Sequence, residues 1–345
     1  MTCRTSLAAA FVLGLSGPAA AQGLSQGPAQ GLAQGLTEVT FGTNWLAQAE
    51  HGGYYQAVAD GTYERYGLKV TIVPGGPRAS NRMLMAAGKL DFYMGGSLIQ
   101  AFAAVEKDIP TIVVAAHFQK DPQVLMSHPG QGLDTFQDLR RSNSLLISKD
   151  GFATFYQWMK AEYGFKDEQV KPYGFSPAPF IADPLSVQQG YATSDPLIIE
   201  AAAGFKPNVF LLADHGFGTY ATTVETRREV VEAKPDLVQR FVDASTIGWY
   251  TYLYGDNTAG NALIRRDNPE MTDALLAYAL ARMKADGIVD SGDAETLGIG
   301  AMTDARVKGF FDAMVKAGLF SPALDYRRAY TLRFVNRGVG RDRKR

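Results

Sequence analysis

Residues 38–73 read EVTFGTNWLAQAEHGGYYQAVADGTYERYGLKVTIV, and the order of patterns in that stretch decides the fold class. Val39 and Phe41, and then Leu68-Lys69-Val70-Thr71-Ile72-Val73, are rich in β-branched and aromatic residues and read as strands. Between them, Tyr54, Tyr55, Val58, Ala59 and Tyr63 give residues 51–66 a helical apolar pattern. Strand, helix, strand is the unit from which α/β folds with mainly parallel sheets are assembled.

The alternation continues outward from this unit. Residues 81–88 read as a helix ended by a glycine, 91–94 as a short strand, 98–107 as a helix, and 110–116 as a wholly apolar strand. Strand patterns return at 145–148, 170–173, 188–193 and 209–213, with helices at 154–163 and 197–203. Beyond Val224 the chain is mostly helical, over 235–255, 269–286 and 304–317. About 300 residues of this kind exceed one comfortable core and predict two lobes.

The N-terminus reads as an export signal. Arg4 precedes a nine-residue apolar run at 7–15, and Pro18 and Ala19-Ala20-Ala21 follow before Gln22. Such a run is far below the roughly 20 residues that span a bilayer. Residues 1–21 are therefore expected to be a signal peptide cleaved after Ala21, which places the mature protein in the periplasm. Cys3 lies ahead of the apolar run, not where a lipoprotein cysteine stands, and it is the only cysteine. Its removal leaves no disulfide and no thiolate chemistry. Residues 22–37 are a Gln/Gly/Leu-rich flexible leader, and residues 335–345 read as a basic flexible tail. Loss of Arg4 takes the formal charge from −1 to −2, which gives no field for nucleic acid.

No catalytic signature stands out. P-loop, complete dinucleotide fingerprint, HExxH and G-x-S-x-G are absent, and His51, His117, His128 and His215 lack zinc spacing. No cofactor and no metal are expected, and the chain reads as a binder rather than an enzyme.

The residues that carry a family pattern are Ala57, Gly61, Tyr63, Gly67, Leu68 and Val70, then residues 81–90 with Asp91-Phe92, then Gln188-Gln189-Gly190-Tyr191 with Ser194-Asp195-Pro196. Their order resembles the nitrate/taurine/thiamine-pyrimidine class of substrate-binding proteins. The resemblance implies a two-lobed periplasmic-binding-protein fold of type II, each lobe a mainly parallel sheet flanked by helices, with the ligand cleft between the lobes. Lobe 1 would comprise 38–125 plus 216–334, and lobe 2 residues 126–215. It also implies a monomeric receptor of an ABC importer that hands a small molecule to a permease and ATPase encoded elsewhere, touching the membrane only transiently through the permease. A yeast pyrimidine synthase shares the fold. It sacrifices a histidine, uses pyridoxal phosphate and carries a cysteine-rich motif, which the cysteine-free exported chain does not fit.

Candidate binding residues lie where strand ends and helix starts would face the cleft. After the first strand come Asn44, Trp45, Glu50, His51 and Tyr54. Trp45 and Tyr54 read as stacking surfaces or as core aromatics, Glu50 as an acceptor for a ring amine or a solvated cap, and His51 as a ligand contact or a structural hydrogen bonder. Gly95, Gly96 and Ser97 are expected to form a turn after the third strand, where bare backbone approaches a ligand. Phe118 suits the cleft floor or the hinge. In the second lobe Lys149, Gly151, Phe152 and Thr154 open a helix, and Ser194 and Asp195 open the next, Asp195 being read as an amine ligand or a cap. Tyr220 marks the return crossing. Trp249, Tyr250, Tyr252 and Tyr254 read as core packing. Aromatics and carboxylates outnumber cations in these segments, so a planar, nitrogen-containing, pyrimidine-like ligand is expected, with a sulfonate, taurine, nitrate or aromatic carboxylate as the alternative.

Overall fold

The computed structural model of the protein describes residues 35–344. The expected signal peptide, its cleavage site and residues 22–34 of the leader lie outside the described residues. Thr37, assigned to the leader, is already paired: its N–H donates to Gly67 O at 2.9 Å and it opens the first strand.

Among the described residues, ten strands form two five-stranded sheets. They are β1 Thr37–Gly42, β2 Leu68–Val73, β3 Phe92–Ser97, β4 Thr111–Phe118, β5 Gln123–Ser127, β6 Ser144–Ile147, β7 Val170–Pro172, β8 Ser186–Tyr191, β9 Asn208–Leu211 and β10 Ala221–Arg227. The first sheet has the order β2-β1-β3-β10-β4 and the second β7-β6-β8-β5-β9. Each sheet has one strand, β10 or β5, that runs antiparallel to both its neighbours. In each case it is the strand by which the chain arrives from the other sheet, so it starts at the C-terminal ends of its neighbours. Four strands of each sheet thus point the same way, and the architecture is two α/β lobes.

The chain crosses between the lobes after Phe118 and returns between Leu211 and Ala221. The boundary expected at 125/126 would cut β5 in the middle of its ladder with β8 and β9. The polar stretch Gln119-Lys120-Asp121-Pro122 between Phe118 and β5 marks the crossing in the sequence, seven residues or fewer ahead of that boundary.

Lobe 1 is organised by the helix Pro235–Tyr254, which crosses the helix Gly52–Ala59 at two glycines. A Cβ on Gly248 would stand 2.1 Å from Gly53 O, and one on Gly53 would meet the Trp249 ring at 2.3 Å. Only bare backbone allows this approach. Phe241 stacks on Phe92 with centroids 4.1 Å apart, and Trp249, Tyr250 and Tyr252 are fully buried, as expected of core packing.

Arg306, on the helix Asp304–Lys316, fastens both crossings. Its guanidinium donates to Gln119 O and to Gln119 Oε1 in the first, and to Gly218 O at 3.2 Å in the second. It also lies 4.3 Å from the Tyr220 ring centroid. Lys120 and Asp214 pair across the two crossings at 2.8 Å. Residues 335–344 are not a flexible tail. Val335 is buried, Asn336 exchanges hydrogen bonds with Met302, Arg341 donates to the carbonyls of Glu295 and Thr296, and Lys344 pairs with Asp290. The basic side chains that suggested a solvated tail are spent on carbonyl groups by Arg341, on the Thr251 hydroxyl by Arg343, and on the carboxylates of Asp243 and Asp290 by Arg337 and Lys344.

Candidate functional site

The ends of β1, β3 and β4 and the start of β10 face the ends of β6, β7 and β8 and the start of β5. On the first lobe the loop after β1 is pinned by Thr43, whose hydroxyl donates to Trp45 O and accepts from Gly75 N. Gly75 has to be glycine, since a Cβ there would lie 2.4 Å from Thr43 O. This presents half-buried Asn44 and Trp45 beside Gly96. The next turn carries Glu50 and His51, both buried, into the helix Gly52–Ala59.

On the second lobe the turn after β6 is built from Ser148 and Gln189. Gln189 Oε1 accepts from Ser148 N at 2.6 Å, and Ser148 Oγ accepts from Gly151 N at 3.1 Å. A side chain at Gly151 would collide with Gln189 and Phe155. At the end of β8, Asp195 folds back so that Oδ2 accepts from Tyr191 N at 2.7 Å. Gly190 leaves room for it, since a Cβ there would come within 2.8 Å of Asp195 Cβ. This geometry explains the Gly190…Asp195-Pro196 motif without a ligand.

Two contacts join the lobes across the cleft. Thr193 Oγ1 donates to Glu50 Oε1, and the Trp45 ring lies 5.5 Å from that of Phe175. Phe175 is 59% exposed and has φ of +61°, a conformation that non-glycine residues seldom adopt.

The electrostatics between the lobes are acidic. Burial raises the Glu50 carboxyl; the Thr193 hydrogen bond opposes this, and nearby Asp195 adds to it. Burial also raises Asp150, Asp195 and Glu225, and pushes Asp121, in the first crossing, up to about 7. The Tyr191 phenol is driven well above its ordinary range, first by burial and then by Asp121, Glu50, Asp150 and Asp195. The charges of carboxyls from both lobes and the first crossing therefore all act on the Tyr191 phenol. Each is disfavoured as an anion by desolvation and favoured by anything that brings in N–H donors.

The candidate residues divide. Asn44, Trp45, Glu50, Gly96, Asp195 and the Lys149–Gly151 turn lie on the facing edges of the lobes. Tyr54 does not offer a stacking face: it is fully buried, packed against Phe41 and Trp249, with its hydroxyl 2.9 Å from His117 Nδ1. Phe118 packs edge-on against Trp249. His51 is 0% exposed, and neither ring nitrogen has a partner among the described residues; burial lowers its pKa to about 3, so the ring is neutral. Gly95, Gly96 and Ser97 belong to β3 itself rather than to a turn after it. Phe152 stacks on Tyr156 of its own lobe, and Thr154 Oγ1 is spent on Asp150 O. Ser194 lies at the N-cap of the next helix, its hydroxyl 3.4 Å from Asp195 Oδ2. Tyr220 is a hinge residue, its hydroxyl donating to Asp293 and accepting from Thr303 N. Residues missed in the sequence are Arg82, Asp121, Asp150, Phe175, Tyr191, Thr193 and Glu225. The excess of carboxylates was visible, but not which of them meet.

A concavity of about 550 Å³ lies elsewhere, beside the second crossing. Trp158, Glu162 and Tyr163 of lobe 2 face Asp312 and Lys316 of lobe 1 there, with the Lys316–Glu162 pair at 2.8 Å bridging them. Among the described residues, no cluster of three or more His, Cys, Asp or Glu is placed to hold a metal, and no helix is long and apolar enough to cross a membrane.

Comparison with known proteins agrees with this architecture. A curated relative, the riboflavin-binding protein RibY of Chloroflexus aurantiacus, is 25% identical over 220 residues, 61% of this chain and 61% of RibY. The chain thus matches less than two thirds of that relative's length. The periplasmic aliphatic sulphonate binding protein SsuA from Escherichia coli superposes with a TM-score of 0.61 at 15% identity, over 89% of this chain and 91% of SsuA. The desulfurization enzyme DSZB superposes with a TM-score of 0.57 at 12% identity, over 90% of this chain and all of its own. At these identities the likeness to both structures is one of fold, and the fold hosts binders and enzymes alike. The family profile described as NMT1/THI5 like matches residues 48–256. The chain therefore belongs to the NMT1/THI5-like family.

Proposed function

We propose that this protein is the periplasmic ligand-capturing component of an ABC importer, and that it closes its lobes on a planar heterocycle bearing N–H or amino donors. The carrying observation is that Glu50, bonded to Thr193 of the other lobe, and Asp195 lie on the facing edges of the lobes, with the charges of both, and of Asp121 and Asp150, acting on the Tyr191 phenol. Aromatic Trp45 and Phe175 meet from the two lobes. A ring with donor groups would satisfy those carboxyls and stack on the aromatics, whereas a sulfonate or nitrate would meet like charge. The relative RibY, a riboflavin-binding protein, supports a ligand of this class. Closure would then present the liganded form to a permease whose ATPase is a separate subunit.

A thermal-shift panel on the mature protein tests this, with riboflavin and aminopyrimidines set against taurine, alkyl sulfonates, nitrate and benzoate. A true ligand at 100 times its Kd adds about 2.7 kcal/mol of stability. Trp45→Ala should weaken heterocycle binding by about 0.5–1.5 kcal/mol, the usual worth of an aromatic contact beyond its area. Stabilisation by the small anions alone, with binding unaffected in Trp45→Ala, would refute the heterocycle reading.

A further inference from the structure

The floor of lobe 1 contains a polar group left half-made. Glu225 on β10 is 1% exposed. Its Oε2 accepts from Arg82 Nε at 3.2 Å and Nη2 at 3.1 Å, while Oε1 has no hydrogen-bond partner among the described residues. Thr223 Oγ1, two residues earlier, is likewise buried and unpartnered among them. Both idle atoms converge on Gly95, where a Cβ would stand 2.3 Å from Glu225 Oε1 and 2.5 Å from Thr223 Oγ1. The residue before Thr223 is strained: Thr222 has φ of +46°, an outlier for a β-branched side chain. Buried acceptors without donors and strained backbone are both costly, and they persist where function uses them.

The position of this group matters. Arg82 keeps 28% of its side chain exposed and donates from Nη2 to Gln100 O at 2.7 Å. Gln100 Oε1 in turn accepts from Gly96 N, next to Asn44. The Tyr93 phenol beside them feels the charges of Glu225 and Arg82 and also that of Asp150 on the opposite lobe. The floor is thereby linked, through Gln100, to the Gly96 and Asn44 edge of the cleft.

We infer that Glu225 determines the ligand class of the cleft. By neutralising Arg82 it denies the site to anions, and Glu225 Oε1 together with Thr223 Oγ1 accepts hydrogen bonds from the donor edge of a heterocycle. Without Glu225, the guanidinium would present its planar fork to the cleft, and that fork matches a carboxylate or sulfonate. The inference rests on the heterocycle reading above and names the residue that enforces it.

The test is titration of wild type, Glu225→Gln and Thr223→Val with riboflavin and with ethanesulfonate, near-ultraviolet circular dichroism reporting the fold. Glu225→Gln is isosteric and can still accept from Arg82. It should gain at least tenfold in ethanesulfonate affinity and lose about tenfold or more for riboflavin, the range expected of one charged hydrogen bond. Thr223→Val removes an atom with no internal partner and should weaken riboflavin severalfold without helping ethanesulfonate. Wild type that binds riboflavin, with variants that bind both probes as wild type does, overturns this inference and leaves the proposed function standing. Wild type that binds ethanesulfonate and not riboflavin overturns both. Should wild type bind neither, the ethanesulfonate gain in Glu225→Gln alone decides. If Glu225→Gln misfolds, riboflavin binding by Thr223→Val decides.

Discussion

Gly248→Ala should cost this protein far more than a methyl group usually does. The added Cβ would stand 2.1 Å from Gly53 O, 2.7 Å from Ala57 Cβ and 3.2 Å from Ala57 N. An ordinary carbon–oxygen contact needs about 1 Å more, so the two helices must separate. Overpacking of this kind costs typically about 1–3 kcal/mol, and the gain from replacing a helical glycine, about 1 kcal/mol, offsets only part of it. Relief by a side chain is not available, because the first obstacle is backbone. The control is Gly309→Ala, the same substitution at an exposed position inside the helix Asp304–Lys316, where nothing lies within 4 Å. There the helix-propensity gain stands alone, about 0.5–1 kcal/mol. Urea denaturation should move the two midpoints in opposite directions, with Gly248→Ala lower by up to about 2 kcal/mol and Gly309→Ala higher. The separation would also displace the turn bearing Glu50, so Gly248→Ala should weaken ligand capture as well. Gly248→Ala at or above wild-type stability would refute the claim that bare backbone sets this helix crossing.

Thr193→Val removes the one hydroxyl that reaches Glu50 from the other lobe. A hydrogen bond to a charged group is worth about 1.5–3 kcal/mol, so the closed-to-open ratio should fall at least about tenfold and small-angle scattering should report a larger radius; an unchanged curve would exclude the bond as a latch. His117 is held down to about 3 by burial, against 6.5 unfolded. Between those values the unfolded chain binds a proton that the native state refuses, so the stability is complete above pH 6.5 and is lost on acidification, by at most about 1.4 kcal/mol per pH unit. His117→Gln, which can still pair with the Tyr54 hydroxyl, should lose less stability than wild type between pH 7 and 4.5, and parallel stability curves would show that the ring is not the titrating group.

The strand–helix–strand opening was readable because its information is local. Its apolar periods, and the glycines at 61 and 67 that end its turns with positive φ, all lie within the 36 residues first quoted. The Gly190…Asp195 turn was readable for the same reason, since its hydrogen bond spans four residues. The floor of the cleft was not. Arg82 and Glu225 are 143 residues apart, as are Glu50 and Thr193, and no periodicity marks either pair. Burial misled the reading of the aromatics. Tyr54 looks like a loop-edge ring beside Gly52-Gly53, yet those glycines exist to bring the Trp249 and Tyr252 helix close, and the ring is enclosed as a result. Gly95 looks like turn punctuation, and the structure uses it instead to admit a carboxylate beside a continuous strand.

Arg306 has a consequence for how the lobes move. One guanidinium holds Gln119 in the outgoing span and Gly218 and Tyr220 in the returning one, all against the body of lobe 1. The segments left to bend are short: Lys120–Pro122 on one side, and on the other the stretch ahead of Gly218, where Gly216 already has φ of +103°. Two spans clamped at the same bearing cannot flex independently. If the lobes open, the second is expected to swing as a door on one fixed pintle, nodding more than twisting, so that Thr193 would return to Glu50 along a single arc.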